Sequence, residues 1–197
     1  MRSTRCVFLF AFAVVALAAF LSGCTDQVTR PEARLMPAAK PTDSGGAAAN
    51  FEKRNLANGI DTEELILEMA EVCMTKAGLH PELMTFCQST ATKAAQDQSL
   101  MQSWLSTWYG IDHSPTLGNA DQHVLSNLVT LEGAEFETAY LEAMVKQYTT
   151  AIRVEQHCYG RATTTALIDF CFNMQLAQSN DVDQMNSWLC NWYGVCR

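Results

Sequence analysis

Basic side chains are scarce in this sequence of 197 residues. It has 13 lysines and arginines against 21 aspartates and glutamates, which gives a formal net charge of −8. Nucleic-acid binding relies on clustered Lys and Arg side chains that contact phosphates, so we expect no nucleic-acid partner. The acidic balance suits a domain that is held off an anionic surface or one that binds cations.

Motifs of common catalytic centres are also missing. The sequence has no phosphate loop, dinucleotide fingerprint or nucleophile elbow, and no His-Glu-x-x-His. It also lacks Cys-x-x-Cys and the Glu-x-x-His of di-iron carboxylate bundles. The histidines are scattered and form no ligand pair; they are His80, His113, His123 and His157. We therefore expect a protein that is not an enzyme.

No apolar run reaches the roughly 20 residues that span a bilayer. Residues 7–20 are uncharged and mostly apolar, and they follow Arg2 and Arg5, which is the layout of a secretory signal. The segment ends in Leu-Ser-Gly-Cys24, which resembles the bacterial lipoprotein box. The resemblance implies cleavage after residue 23 and lipid on Cys24. Thr25 then favours the outer membrane over the inner one. The alternative is an ordinary signal peptide with an incidental cysteine.

The stretch that follows contains several prolines and glycines. Residues 24–60 include Pro31, Pro37, Pro41 and a Ser-Gly-Gly-Ala-Ala-Ala run, and they predict a flexible tether. Without residues 1–23 the net charge becomes −10, from 11 basic and 21 acidic residues. The sequence thus predicts an exported domain that is lipid-anchored in the cell envelope.

Tryptophan occurs only in a ten-residue phrase that appears twice. Residues 101–110 read MQSWLSTWYG and residues 185–194 read MNSWLCNWYG, with seven identical positions. The repeat indicates two related halves. Apolar residues at helical spacing predict a hairpin over 61–110, capped at Asp61 or Thr62, and a second over 133–197. Residues 111–132 connect them, with a short helix possible. The predicted fold is all-α, an antiparallel four-helix bundle of two duplicated hairpins.

The cysteines support this arrangement. Six remain beyond the signal and Cys24, in an exported domain where disulfides persist. Cys73 and Cys87 flank the first hairpin turn, and Cys158 and Cys171 flank the second, within bridging distance in an antiparallel pair. Cys190 and Cys196 would then form a local clasp. The alternatives are a metal site or a bridge between molecules.

These pairs set a register for each hairpin. Glu63 then faces Asp97, Tyr148 faces Asp181, and Met144 faces Met185. A polar layer midway along the bundle follows, with Gln147 as a further member. Carboxylates bind hard cations and thioethers bind soft ones, so the candidate metal ligands are Glu63, Asp97, Asp181, Met144 and Met185. The alternatives are a register-setting hydrogen-bonded layer and methionines that fill the core.

The second half carries the resemblance to a known family. Residues 178–189 read QSNDVDQMNSWL, which resembles the Gln-x-x-Glu-Ile-x-x-Met-x-x-Trp-Leu helix of the bacterial domain-of-unknown-function 305 family. That family's Met-Ile-x-His-His reads Met144-Val-Lys-Gln147-Tyr148 here, and the first copy has Thr62 and Glu63 near the start of a shortened helix. The resemblance implies an exported, ferritin-like bundle with metal binding as a possible activity.

Two functions are open at this point. The first is a lipoprotein with a non-enzymatic binding or interaction role, whose anchor contacts the membrane and whose protein partner is not identified by the sequence. The second is a cell-envelope protein that binds copper or another divalent cation. No cofactor is expected apart from such a metal ion.

Overall fold

The structure is a computed structural model that describes residues 40–41 and 46–196. The signal peptide, the lipid-attachment residue Cys24 and most of the predicted tether lie outside these residues. The described chain forms five helices: α1 (Ala47–Thr75), α2 (Pro81–Tyr109), α3 (Asn119–Thr130), α4 (Gly133–Arg161) and α5 (Thr165–Tyr193). The part of the chain that is described contains no strand. The predicted all-α fold is therefore confirmed.

The four long helices have 29 residues each, which corresponds to about 43 Å. Pro81 opens α2 at a position where its missing N–H costs no helical hydrogen bond. Gly110 and Gly194 end α2 and α5 with φ of 68° and 72°, a left-handed conformation that glycine adopts without strain. The glycines of the repeated phrase are thus helix stops, as predicted.

Helix α1 begins 14 residues earlier than predicted. The tether does not extend to residue 60, and Asp61 and Thr62 lie inside the helix rather than at its cap. Leu56 and Ile60 are fully buried, so their burial stabilises the additional turns. Gly59 resembles a break in the sequence, but a Cβ there would lie 2.6 Å from the sulfur of Met101. This glycine therefore permits close helix packing.

The two hairpins pack side by side, with the first helix of one antiparallel to the first helix of the other. Helix α1 packs on α2, α4 packs on α5, and α1 also packs along α4. Glu52 near the start of α1 contacts Thr164 in the second hairpin turn, so α1 and α4 run in opposite directions. The connector carries α3 across α1 and α4. Asp61 accepts hydrogen bonds from His113 and Thr116 at one end of this crossing, and Lys76 donates to Glu132 at the other; these bonds hold the connector on the bundle.

Three disulfides lock the bundle in the predicted pairing. Their Cα–Cα distances are 6.1 Å for Cys73–Cys87, 6.0 Å for Cys158–Cys171 and 4.3 Å for Cys190–Cys196. The first two close the hairpin loops, each worth about 3 kcal/mol by loop-closure entropy. Disulfides persist in oxidising compartments outside the cytoplasm. Within the described residues, no helix is both long enough and apolar enough to span a membrane.

The tryptophans of the two phrases pack in the same way. Trp104 stacks on Trp108 with ring centroids 4.9 Å apart, and Trp188 stacks on Trp192 at 5.1 Å. Each pair also receives the edge of a phenylalanine from the other hairpin, at 5.4 Å for Phe170 on Trp104 and 5.7 Å for Phe86 on Trp188. The aromatic rings therefore join α2 to α5 at both ends of the bundle.

A buried glutamate at one end of the bundle, Glu52, reinforces this junction. It accepts bonds from the Tyr109 hydroxyl and from the backbone N–H groups of Thr163 and Thr164, at 2.6 and 2.9 Å. Burial acts to raise the pKa of Glu52, but these hydrogen bonds outweigh it and lower the pKa below its ordinary value. Glu52 therefore caps the start of α5 as a carboxylate.

At the opposite end of the bundle, Glu137 of the second hairpin makes the equivalent contacts. Glu137 accepts bonds from the Tyr193 hydroxyl and from the backbone N–H of His80, the latter at 2.7 Å. The His80 ring contacts the same carboxylate and stacks on Trp192 with centroids 4.0 Å apart. The tyrosines of the repeated phrase thus hold two glutamates that each cap a helix of the other hairpin.

Candidate metal centre

Midway along the bundle, each of the four long helices contributes polar groups to its interior. On α1, Glu63 lies between Ile60 and Ile66 on the buried face and is only 4% exposed. Helical periodicity therefore places this carboxylate among core residues. We define the central cluster by residues that interact with it or with each other: Glu63, Thr90, Lys93, Asp97, Tyr148, Glu155, Met174 and Asp181.

Buried acidic groups dominate the electrostatics of the central cluster. Burial raises the pKa of Glu63 well above its ordinary value, and the nearby carboxylates of Asp97 and Glu155 raise it further, against the opposing charge of Lys93. Burial and Asp97 raise the pKa of Glu155 to about 8, again opposed by Lys93. The pKa of about 8 leaves Glu155 mostly protonated at neutral pH, because one lysine does not compensate three carboxylates.

Lys93 brings the cationic charge into the cluster. Its ammonium group donates to the Asp97 carboxylate one helical turn away, and it lies 3.3 Å from the thioether sulfur of Met174 on α5. A carboxylate and a thioether thus converge on a positive charge from two helices. These are also donor types that metal cations accept.

Tyr148 interacts with acidic groups of both hairpins. Burial raises the pKa of its hydroxyl, and Asp181, Glu63 and Tyr140 raise it further, while a hydrogen bond with Thr90 acts in the opposite direction. Tyr148 is 6% exposed and stays protonated at neutral pH. Its hydroxyl is therefore held as a neutral group between carboxylates of α1 and α5.

A buried oxygen atom at the level of the cluster has no hydrogen-bond partner among the described residues. It is Oε1 of Gln178, one turn before Asp181 on α5. The Gln178 side chain is more than nine-tenths buried. An unpaired buried oxygen is costly, so this atom is available to an additional ligand. The Tyr140 hydroxyl is also unpaired, but it lies two turns before Tyr148 on α4, outside the cluster.

The structure places the candidates from the sequence in two different environments. Glu63 interacts with Asp97, and Tyr148 with Asp181, as the register predicts. Met144 and Met185 are instead fully buried in the apolar core, in the environment of core-filling methionines. Gln147 is only partly buried, and no contact places it in the cluster. Their roles as metal ligands remain predictions.

Four members of the cluster were missed by the sequence reasoning: Thr90, Lys93, Glu155 and Met174. Lys93 and Asp97 form an i,i+4 pair, which is a readable helical ion pair. Glu155 follows Ala151 on the inner face of α4 by one turn, so its helical position could have identified it. Met174 lies on the apolar seam of α5, where only the packing against Lys93 distinguishes it from a core methionine.

Glu155 also lies beside the second disulfide. Its carboxylate oxygen and the sulfurs of Cys158 and Cys171 lie within 4.8 Å of one another, the one such group of three ligand-type residues among those described. Both sulfurs are in a disulfide, so they are not available as thiolates. The oxidised protein therefore offers only the carboxylate at this point.

The available donors fit oxygen-preferring cations best. The cluster combines three or more carboxylates, neutral hydroxyl groups and a single thioether, without an imidazole. Such a set suits a hard or borderline divalent cation rather than Cu(I), which prefers thiolate and thioether ligands. Gln147 and Tyr148 stand where the family motif has its two histidines.

Solved structures of CopM have a similar fold. CopM in the Cu(I)-bound form is 19% identical, with a TM-score of 0.65 and coverage of 73% of this chain and 98% of CopM. The Ag-bound form has 18% identity, a TM-score of 0.64 and the same coverage. The Cu(II)-bound form has 17% identity and a TM-score of 0.64, over 72% of this chain and 97% of CopM. At this identity the likeness establishes the fold alone.

A search of curated proteins found no match. The family model described as "Domain of unknown function (DUF305)" matches residues 60–189, which cover both hairpins and the connector between them. The match includes the central cluster and both copies of the tryptophan helices, apart from the last residues of the second copy. The duplicated helical hairpins and the family match together show that this chain belongs to the DUF305 family.

Proposed function

We propose that the protein is a non-enzymatic, lipid-anchored binding protein of the cell envelope that takes a divalent cation at the central cluster. The observation that carries the proposal is Glu63, a carboxylate buried to 4% exposure with Asp97 and Glu155 close enough to raise its pKa. A buried carboxyl beside other acids is favourable as a carboxylate when a cation takes the place of its proton. Here Lys93 is the single cation that acts on both glutamates.

The unpartnered Oε1 of Gln178, one turn before Asp181 on α5, supports a ligand at the level of the central cluster. The family relationship supports the same class of ligand, because CopM has been solved with Cu(I), Cu(II) and Ag. The donor atoms in this chain are mostly oxygens, so we propose a divalent ion rather than Cu(I) or Ag. Lys93 competes for the site through its contacts with Asp97 and Met174.

Binding must release protons. Glu155 is mostly protonated at neutral pH, and a carboxylate coordinates a cation in its ionised form. If one cation displaces one proton, the apparent affinity rises about tenfold for each pH unit below the pKa of about 8 for Glu155. The proposed site thus binds cations more tightly as pH rises toward 8.

Isothermal titration calorimetry tests this proposal. The metal-free protein is titrated with Mn²⁺, Zn²⁺ and Cu²⁺ at pH 6 and pH 8.5, with Cu(I) under anaerobic conditions as a comparison. We expect one divalent cation per chain, with tighter binding at pH 8.5. Glu63→Gln and Glu155→Gln should each weaken binding at least tenfold.

Glu135→Gln serves as the matched control, because Glu135 is an exposed carboxylate on the first turn of α4. Binding weaker than about millimolar for all three divalent ions would remove the proposal. Equal weakening by Glu135→Gln and Glu155→Gln would also remove it, since the binding would then reflect general surface charge.

A further inference from the structure

A groove on the surface lies between the first turns of α1 and the last turns of α4. Its volume is about 300 Å³. Its ionisable lining residues are Arg54 on α1 and His157 and Arg161 on α4, and Asn55 and Asn58 add two amide side chains. All of its ionisable lining groups are therefore basic, although the chain as a whole is acidic.

The basic groups of the groove are not neutralised by neighbouring acids. Within residues 46–196, neither arginine forms an ion pair, and His157 forms none. The guanidinium of Arg161 instead lies over the Phe51 ring, 4.8 Å from its centroid. This contact holds Arg161 at the groove and leaves its N–H donors for an anionic ligand.

The groove also has an apolar wall. Phe51 and Val154 line it, and Val154 is 40% exposed. A ligand that fits must therefore combine an anionic group with carbon atoms. A phosphate with an attached glycerol has this chemistry, since guanidinium groups bind phosphate through paired hydrogen bonds.

The position of the groove identifies where such a ligand would come from. It lies at the end of the bundle where α1 begins, and only 22 residues separate Cys24 from Ala47. A chain of that length spans at most about 75 Å. If Cys24 carries lipid, as the sequence predicts, this end of the bundle is the one joined to the anchor and can reach the membrane surface.

We propose that this groove binds the phosphate headgroup of an anionic phospholipid and so docks the bundle on the membrane that holds its anchor. The net charge of −8 repels the rest of the surface from such a membrane. The groove therefore selects one orientation, with the starts of α1 and the second hairpin turn toward the lipid.

Vesicle sedimentation tests the proposal with residues 25–197, which lack both the apolar signal segment and the lipid-attachment cysteine and so separate headgroup binding from anchoring. Vesicles contain phosphatidylcholine alone or with 30% phosphatidylglycerol. We expect at least tenfold stronger partitioning onto the anionic vesicles, and a decrease as NaCl rises from 50 to 300 mM. Arg54→Gln and Arg161→Gln should each lower this partitioning about fivefold, the usual effect of one basic residue at an anionic surface.

Lys146→Gln is the control, because Lys146 is exposed on α4 outside the groove and the change in net charge is the same. It should alter partitioning less than twofold, and circular dichroism should show that all variants keep their helices. Equal partitioning onto both kinds of vesicle overturns the proposal. An equal loss in Lys146→Gln also overturns it, as does binding of free inorganic phosphate without binding of vesicles.

Discussion

Replacing Glu155 by glutamine should change how the stability of the bundle depends on pH. The folded protein raises the pKa of this carboxyl from 4.5 to about 8, because it is largely buried and close to Asp97. The folded state therefore binds the Glu155 proton more tightly than the unfolded state does. Its contribution to stability is fully present below pH 4.5 and is lost progressively as pH rises toward 8.

The size of the effect follows from the pKa shift. One pKa unit corresponds to about 1.4 kcal/mol, so the full shift changes the free energy of unfolding by at most about 5 kcal/mol. Water reaches part of the side chain, and screening reduces this to about 2–3 kcal/mol. Glutamine keeps the shape and stays neutral. At pH 8.5, Glu155→Gln should therefore be more stable than wild type by about 2–3 kcal/mol.

Urea unfolding with the disulfides intact measures this difference, followed by circular dichroism at pH 5 and pH 8.5. At pH 5 the free energies of unfolding of the two proteins should agree within about 1 kcal/mol, because the wild-type carboxyl is then mostly protonated. The free energy of unfolding of the variant should still decrease somewhat as pH rises, since Glu63 also has a raised pKa. Glu135→Gln on the exposed face of α4 should follow wild type at both pH values. Parallel pH profiles for wild type and Glu155→Gln would refute the reasoning.

Three further changes test other parts of the structure. Glu52→Gln weakens the cap on Thr163 and Thr164, so urea unfolding at pH 7 should show a free energy of unfolding lower by about 2–3 kcal/mol. Because folding lowers the pKa of Glu52, this difference between variant and wild type should shrink as pH falls below about 4.5 and vanish below the folded pKa. Gly59→Ala forces a methyl group against Met101, and thermal unfolding should show a loss of about 1–3 kcal/mol rather than the gain expected from helix propensity. Cys24→Ala should move the protein from the membrane fraction to the soluble fraction, whereas equal distribution of both forms would exclude a lipid anchor.

The hairpins could be predicted because their signals are local. Gly78 and Pro81 mark the first turn, Gly110 and Gly194 mark helix ends, and cysteine spacing sets the register. The start of α1 could not be read in the same way. Asp61 has the chemistry of a helix cap, yet it accepts bonds from the connector at His113 and Thr116, a tertiary contact that no local pattern reveals.

The central cluster was only partly predictable for a related reason. Register pairs residues within one hairpin, so it could relate Glu63 to Asp97 and Tyr148 to Asp181. It could not say how the two hairpins face each other. Glu155 and Lys93 enter the cluster through contacts between hairpins, which depend on the antiparallel packing of α1 with α4.

Comparison of the two halves shows which parts of the duplication have stayed alike. A shift of 85 residues relates Glu52 to Glu137 and Cys73 to Cys158 in the first helix of each hairpin, and a shift of 84 relates the phrase tyrosines. Both copies therefore contain the hydrogen bond from the phrase tyrosine to a capping glutamate, which we call the brace. The stacked tryptophans and a hairpin disulfide also occur in both copies.

The cluster follows this symmetry only in part. Asp97 corresponds to Asp181, but the partners of the other charged residues are neutral: Glu63 corresponds to Tyr148, Lys93 to Ala177, and Glu155 to Ala70. A cluster that served only to fix register could use the same residues in both copies, as the brace does. Charged groups from both copies instead combine at one buried place, where burial and neighbouring carboxylates raise the pKa of Glu63 and Glu155 and oppose folding at high pH. A cost of this kind at the centre of an otherwise well-braced bundle is what a binding site for a cation would impose.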